Sequence, residues 1–203
     1  MEKYKNKYRI ASARAPFWDY RWNAAYFVTI CTKNRICWFG KISNGVMKLS
    51  AIGEIVNAEW LKTFKIRPDM NLFMGEYVVM PNHFHAIIGI GENQYNTQRE
   101  MQRGPQWWAQ RRDAMHCVPT DKTDKTNDNN HPMNQFGPQS KNLASIIRGF
   151  KSAVTQKARQ INPDFAWQPR YYDHIIRNKQ SFQKITTYIK NNPAKWKNDK
   201  FHR

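Results

Sequence analysis

His83 and His85 flank Phe84 in a run that otherwise reads as buried strand, YVVMPNHFHAIIGI from Tyr77 to Ile90. Side chains alternate faces along a strand, so the two imidazoles share one face and Phe84 takes the other. Two imidazoles held side by side on a rigid element can ligate one divalent cation and leave positions open for a substrate. The pair is equally compatible with two hydrogen-bonded core or edge histidines, and spacing alone does not choose. A second candidate lies near the C-terminus, in SFQKITTYIKNNP. Tyr188 and Asn192 are four apart and therefore neighbours on one helical face. A phenol can act as a covalent nucleophile, and a neutral amide oxygen suits a hard divalent cation. Packed beside the histidine strand, this helix would bring His83, His85 and Asn192 to one cation, with Tyr188 one turn away. The plain alternative is that Phe182, Ile185 and Ile189 form a core stripe with Tyr188 as an ordinary tyrosine at its edge.

The elements that must position these residues follow from periodicity. Residues 1–24 are basic and aromatic without clear period and read as an N-terminal arm. YFVTICT, Tyr26–Thr32, is a first strand by its β-branched and aromatic content. Asn44-Gly45 marks a hairpin between WFGKI and VMKLS. Ser50 opens a helix carrying Ile52, Ile55, Val56, Trp60 and Phe64 at helical spacing, ended by Pro68. Leu72–Met80 and His83–Ile90 form a tight antiparallel pair. The polar stretch at about 91–142 lacks period and reads as a flexible insert with a local Trp107-Trp108 patch. A helix over Leu143–Gln160, a strand over Tyr171–Ile176 and a helix from Gln180 to Asn192 complete the chain, the last stopped by Pro193. The order β-α-β-β-α-β predicts an α+β fold: a ferredoxin-like or RRM-like antiparallel four-stranded sheet with two helices on one face, followed by the C-terminal helix. The arm at 1–24 and a single domain at 25–198, interrupted by the insert, are the expected organisation.

Composition bounds the function class. The 203 residues carry 33 Lys+Arg against 15 Asp+Glu, a net charge of +18. The excess divides as +7 over residues 1–90, +1 over 91–142 and +10 over 143–203, so it lies in the segments that also look folded. A basic, aromatic-rich surface favours nucleic acid, single strands above all. Lys33, Arg35, Arg148, Lys151, Arg170 and Arg177 are candidate phosphate contacts, each also readable as a solvated surface charge. Trp18 and Trp22 are candidate base platforms or core residues. Three cysteines without a CxxC pair, no apolar leader and no membrane-length apolar run give a cytoplasmic expectation with no membrane partner.

Five segments in order, YFVTICTKNR, EYVVMPNHFHAII, IIRGFKSAVT, WQPRYYDHIIRN and YIKNNPAKW, resemble the REP-associated tyrosine transposases. These are a branch of the single-tyrosine HUH transposases related to small insertion-sequence transposases. The resemblance spans Trp22 to about Trp196, apart from 91–141. It implies His83 and His85 as the histidine pair, Tyr188 as nucleophile and Asn192 as third metal ligand. Tyr171 and Tyr172 rank below Tyr188 because they belong to the strand motif, and His174 is expected to support the fold or a DNA contact. The implied activity is cleavage and rejoining of single-stranded DNA near an imperfect hairpin, through a 5′-phosphotyrosine link, with Mg²⁺ or Mn²⁺. Lys184, one turn before Tyr188, is a candidate for helping remove the phenol proton. Both monomers and homodimers are compatible with the resemblance. The competing classes are a non-catalytic single-stranded nucleic-acid-binding protein on the same fold and a structural zinc or hydrolase site.

Overall fold

A computed structural model describes residues 18–96 and 140–202, together with a two-residue antiparallel ladder of Lys3–Tyr4 on Lys7–Tyr8. Most of the expected arm and insert, including Trp107, Trp108 and Cys117, lies outside the described residues.

The strands form where β-branched and aromatic residues alternate. β1 spans Ala24–Cys31, and a hairpin of β2 (Gly40–Ser43) and β3 (Val46–Leu49) follows. Asn44 and Gly45 turn that hairpin with φ of 53° and 75°, the left-handed pair that an Asn-Gly turn supplies. α1 spans Ala51–Lys65, and the Ser50 side chain accepts from the Gly53 N–H as its N-cap. The helix ends before Pro68, which starts a short 3₁₀ turn. β4 (Leu72–Val79) and β5 (His83–Ile90) follow, then α2 (Leu143–Ile161), β6 (Tyr172–Ile176) and α3 (Lys179–Asn191). Asn142 and Ser145 make a reciprocal capping box at the start of α2, and Asn178 caps α3.

The four long strands form one antiparallel sheet in the order β4-β5-β1-β6. The ferredoxin-like expectation holds, and every main element falls within two residues of its predicted bounds. One face of the sheet carries Tyr26, Val28, Ile30, Phe84, Ala86, Ile88 and Ile175, all buried, against α1 and α2. Trp60 sits at the centre of this core, its ring 5.0 Å from Phe84 and 5.3 Å from Phe150. α3 lies on the opposite face, where a smaller cluster of Ile87, Ile176 and Ile189 seats it. Lys190 of α3 pairs with Glu76 of β4 at 3.4 Å. Packing continues past residue 198: Phe201 is buried, so the final segment closes over the second face.

Candidate active site

Register places the site residues before any side-chain detail is needed. Thr29 pairs with His85 and with Tyr172, and Cys31 pairs with His83. Paired residues share a face, so the histidines stand on the α3 side of the sheet. Phe84 points into the main core, as alternation requires. α3 then lays Tyr188 over this row, with Asn192 at its C-cap.

Both histidines are buried and held by specific partners. Asn82 Nδ2 donates to the carbonyls of Arg35 and Phe201, which leaves its Oδ1 to accept from His83 Nδ1 at 2.9 Å. His83 therefore carries its proton on Nδ1 and presents a lone pair at Nε2. That Nε2 is buried without a hydrogen-bond partner. His85 Nδ1 is hydrogen-bonded to the Thr29 hydroxyl at 2.8 Å, and its Nε2 meets the Tyr188 hydroxyl at 3.3 Å. Burial pushes His83 down to about 2 and His85 to about 3, with His85 and nearby cations adding to the first and Lys200 to the second. Both rings stay neutral at ordinary pH, which is the state a metal ligand needs.

Asn192 is 3% exposed. Its Nδ2 donates to Asp199 Oδ2 at 3.2 Å, while its Oδ1 is a second buried acceptor without a partner. Asp199, His83 and His85 each offer a ligand atom within 4.8 Å of the others. Two orphaned buried acceptors beside an imidazole and a carboxylate fit a divalent cation with mixed nitrogen and oxygen preference. Tyr188 is 41% exposed and faces a cleft also lined by Phe27, Thr29, Tyr172, Lys195 and Lys200. Burial of its hydroxyl, with Asp199 nearby, raises its pKa above that of a free phenol.

Asp199 was not singled out by sequence pattern: it is one acid in a basic tail, KWKNDKF, with no period to place it. Its position depends on long-range closure. Arg35 Nη1 donates to the Lys200 carbonyl, the Arg35 guanidinium lies 5.0 Å from the Phe201 ring centre, and the Phe201 ring lies 4.6 Å from His83. Arg35 has a φ of 54°, an uncommon conformation for this residue type, and these contacts hold it there.

The six basic candidates separate. Lys33, Arg148, Arg170 and Arg177 are exposed. Arg35 is engaged in holding the C-terminal segment. Lys151 donates to the carbonyls of Gln168 and Arg170 and lies over the Trp167 ring, so its ammonium braces that turn. Trp18 donates to the Tyr26 hydroxyl at 3.0 Å and contacts Trp22 edge-on, which favours packing over a base platform. Lys184 is exposed and makes no hydrogen bond to Tyr188 among the described residues. His174 is exposed on β6 opposite Phe27, and Tyr171 packs against the main core.

Comparison with known proteins adds two findings. An uncharacterized protein of Haemophilus influenzae is 34% identical over 195 residues, covering 94% of this chain and 92% of that one. The chain belongs to one family with that protein. A solved REP-associated tyrosine transposase, bound to a REP hairpin, superposes with a TM-score of 0.53 at 17% identity, over 92% of this chain and 74% of that one. The fold is thus that of a REP-associated tyrosine transposase, as the five sequence segments led one to expect. No family model matches the chain. No helix among the described residues is long and apolar enough to cross a membrane.

Proposed function

We propose that this chain is a divalent-metal-dependent DNA strand-transferase of the REP-associated tyrosine transposase type, acting on single-stranded DNA beside a hairpin. The observation that carries the reading is the meeting of the Tyr188 hydroxyl with His85 Nε2 at 3.3 Å, next to the unpartnered acceptors His83 Nε2 and Asn192 Oδ1. A phenol beside a cluster of unpartnered ligand atoms is an arrangement suited to metal-assisted phosphoryl transfer. The shared fold with a transposase solved on hairpin DNA supports the substrate class, and the basic 143–203 segment supports a polyanionic partner.

His83, His85 and Asn192 would hold Mg²⁺ or Mn²⁺, with the Asp199 carboxylate as a further ligand. When bound, the cation neutralises charge building on the non-bridging phosphate oxygens. Thr29 and Asn82 orient the two imidazoles through their Nδ1 atoms; His83 Nε2 is already unpartnered, and His85 Nε2 becomes free once the Tyr188 hydroxyl turns from it toward phosphorus. The Tyr188 oxygen attacks phosphorus in line and forms the O–P bond as the P–O3′ bond breaks; the proton the phenol gives up is balanced by the one the departing 3′ oxygen takes up, directly or through solvent, to leave as a hydroxyl. The product is a 5′-phosphotyrosine ester, whose bond a second 3′-hydroxyl can attack to regenerate Tyr188 and join strands. Lys195 and Lys200 on the cleft wall place positive charge where the strand's phosphates must lie.

Incubation with a panel of hairpin-bearing single strands and Mn²⁺, resolved on a denaturing gel, tests the reading. The expected result is a covalent adduct that disappears in Tyr188→Phe and His83→Ala. Tight binding with no adduct on any substrate would instead establish a non-catalytic binding protein.

A further inference from the structure

One aromatic residue in the cleft is more exposed than its place in the sheet demands. Tyr172 is 59% exposed, although it sits on β6 in the same cross-strand row as Thr29 and His85. Two strand spacings separate it from His85, about 10 Å at ~4.8 Å per strand. Its ring meets Phe27 at 6.3 Å with the planes 70° apart. In a perpendicular pair only one face or one edge of a ring is covered, so at least one Tyr172 face remains for another partner. Its hydroxyl makes no hydrogen bond to a described residue, whereas the Tyr188 hydroxyl meets His85. Tyr172 contacts Phe27, Phe27 contacts Tyr188, Tyr188 contacts His85 and His85 lies near Phe201, so the cleft lining runs from an aromatic plate on β6 through Tyr188 to the C-terminal segment that carries Lys195 and Lys200.

We propose that the Tyr172 ring is a stacking platform for the nucleobase next to the cleaved phosphate, and that its hydroxyl takes no part. The inference rests on the DNA strand-transferase reading and adds a polarity to it. The sugar-phosphate backbone passes along the lysine side and the flanking base turns toward β6. Every base has a π-face, so a single plate of this kind holds a strand in place without reading its sequence. The same placement explains why a second exposed tyrosine can stand close to the site without competing as nucleophile: it offers a ring face where Tyr188 offers an oxygen.

The test uses the full chain in a Tyr188→Phe background, so that binding is read without cleavage. The probe is a labelled hairpin with a single-stranded oligo-dT tail, in Mg²⁺, followed by fluorescence anisotropy. Tyr172→Ala should weaken binding roughly five- to a hundred-fold, while Tyr172→Phe should stay within about two-fold of the parent. An abasic site placed at successive tail positions should erase the difference between Tyr172 and Ala at one position only. Unchanged binding by Tyr172→Ala, or a loss in Tyr172→Phe as large as in Tyr172→Ala, would overturn the stacking role while leaving the strand-transferase reading standing. Failure of the parent protein to bind any hairpin probe would remove that reading and the platform with it. A thermal midpoint for Tyr172→Ala equal to the parent's checks that the loss is at the binding face.

Discussion

The two faces of the sheet are built from the same strands and differ in almost everything else. In β5 the alternation is residue by residue: His83 and His85 to one side, Phe84 and Ala86 to the other. The face under α1 and α2 is a continuous apolar core with Trp60 at its centre. The face under α3 has a smaller cluster, Ile87, Ile176 and Ile189 with partly buried neighbours such as Phe27 and Phe182, and beside it two unpartnered acceptors (His83 Nε2 and Asn192 Oδ1), two neutral histidines and a carboxylate. Strand position is thus over-determined from one side, which frees the other to hold polar groups that contribute little to stability. A close-packed core transmits little slack, so the imidazoles it anchors are presented rigidly.

The largest expected effect sets the faces against each other directly. Phe84→Ala should cost about 3–5 kcal/mol of stability, because a fully buried ring in contact with Trp60 and Phe150 leaves a cavity. Tyr188→Phe, only partly buried and losing one oxygen, should remain within about 1 kcal/mol of the parent in chemical denaturation yet lose all adduct formation. Comparable destabilisation by both would break the division of labour.

Metal affinity gives the next test. Asn82→Ala removes the acceptor that fixes the His83 tautomer and should weaken Mn²⁺ binding about 10- to 100-fold by electron paramagnetic resonance titration. Asp199→Asn should weaken it too, and an unchanged affinity would remove Asp199 from the ligand set.

Acidification sharpens the contrast further. With folded-state values of about 2 and 3, His83 and His85 refuse protons that the unfolded chain accepts near its ordinary value of 6.5. The unfolded state then binds more protons, so stability should fall as pH drops below about 6.5, and His85→Gln should flatten that slope. A slope unaffected by both His83→Gln and His85→Gln would contradict their burial as neutral rings. The smallest effect belongs to the core side: Ser50→Ala, which removes the α1 cap, should cost about 1 kcal/mol with Mn²⁺ affinity unchanged.

Much of this was legible from local pattern. Alternation fixed the shared face of His83 and His85, and a four-residue spacing put Tyr188 and Asn192 together on α3. The order of elements sufficed for the sheet. What pattern could not supply was closure over distance. Asp199 reaches the site because Asn82 and Arg35 hold the carbonyls of Phe201 and Lys200, and such pairing leaves no periodic trace. Lys151 shows the same limit in reverse. Its charge is visible in the sequence, but the two carbonyls that engage it are not.

In the proposed reaction Tyr188, and no other tyrosine on this face, attacks phosphorus beside a cation held by the histidine pair. Mass mapping of the covalent adduct after trypsin digestion tests it most directly. The expected product is an oligonucleotide 5′-phosphate on the peptide Ile185–Lys190, formed only with Mg²⁺ or Mn²⁺ present. An adduct on Tyr172, or one formed equally in chelator, would contradict it.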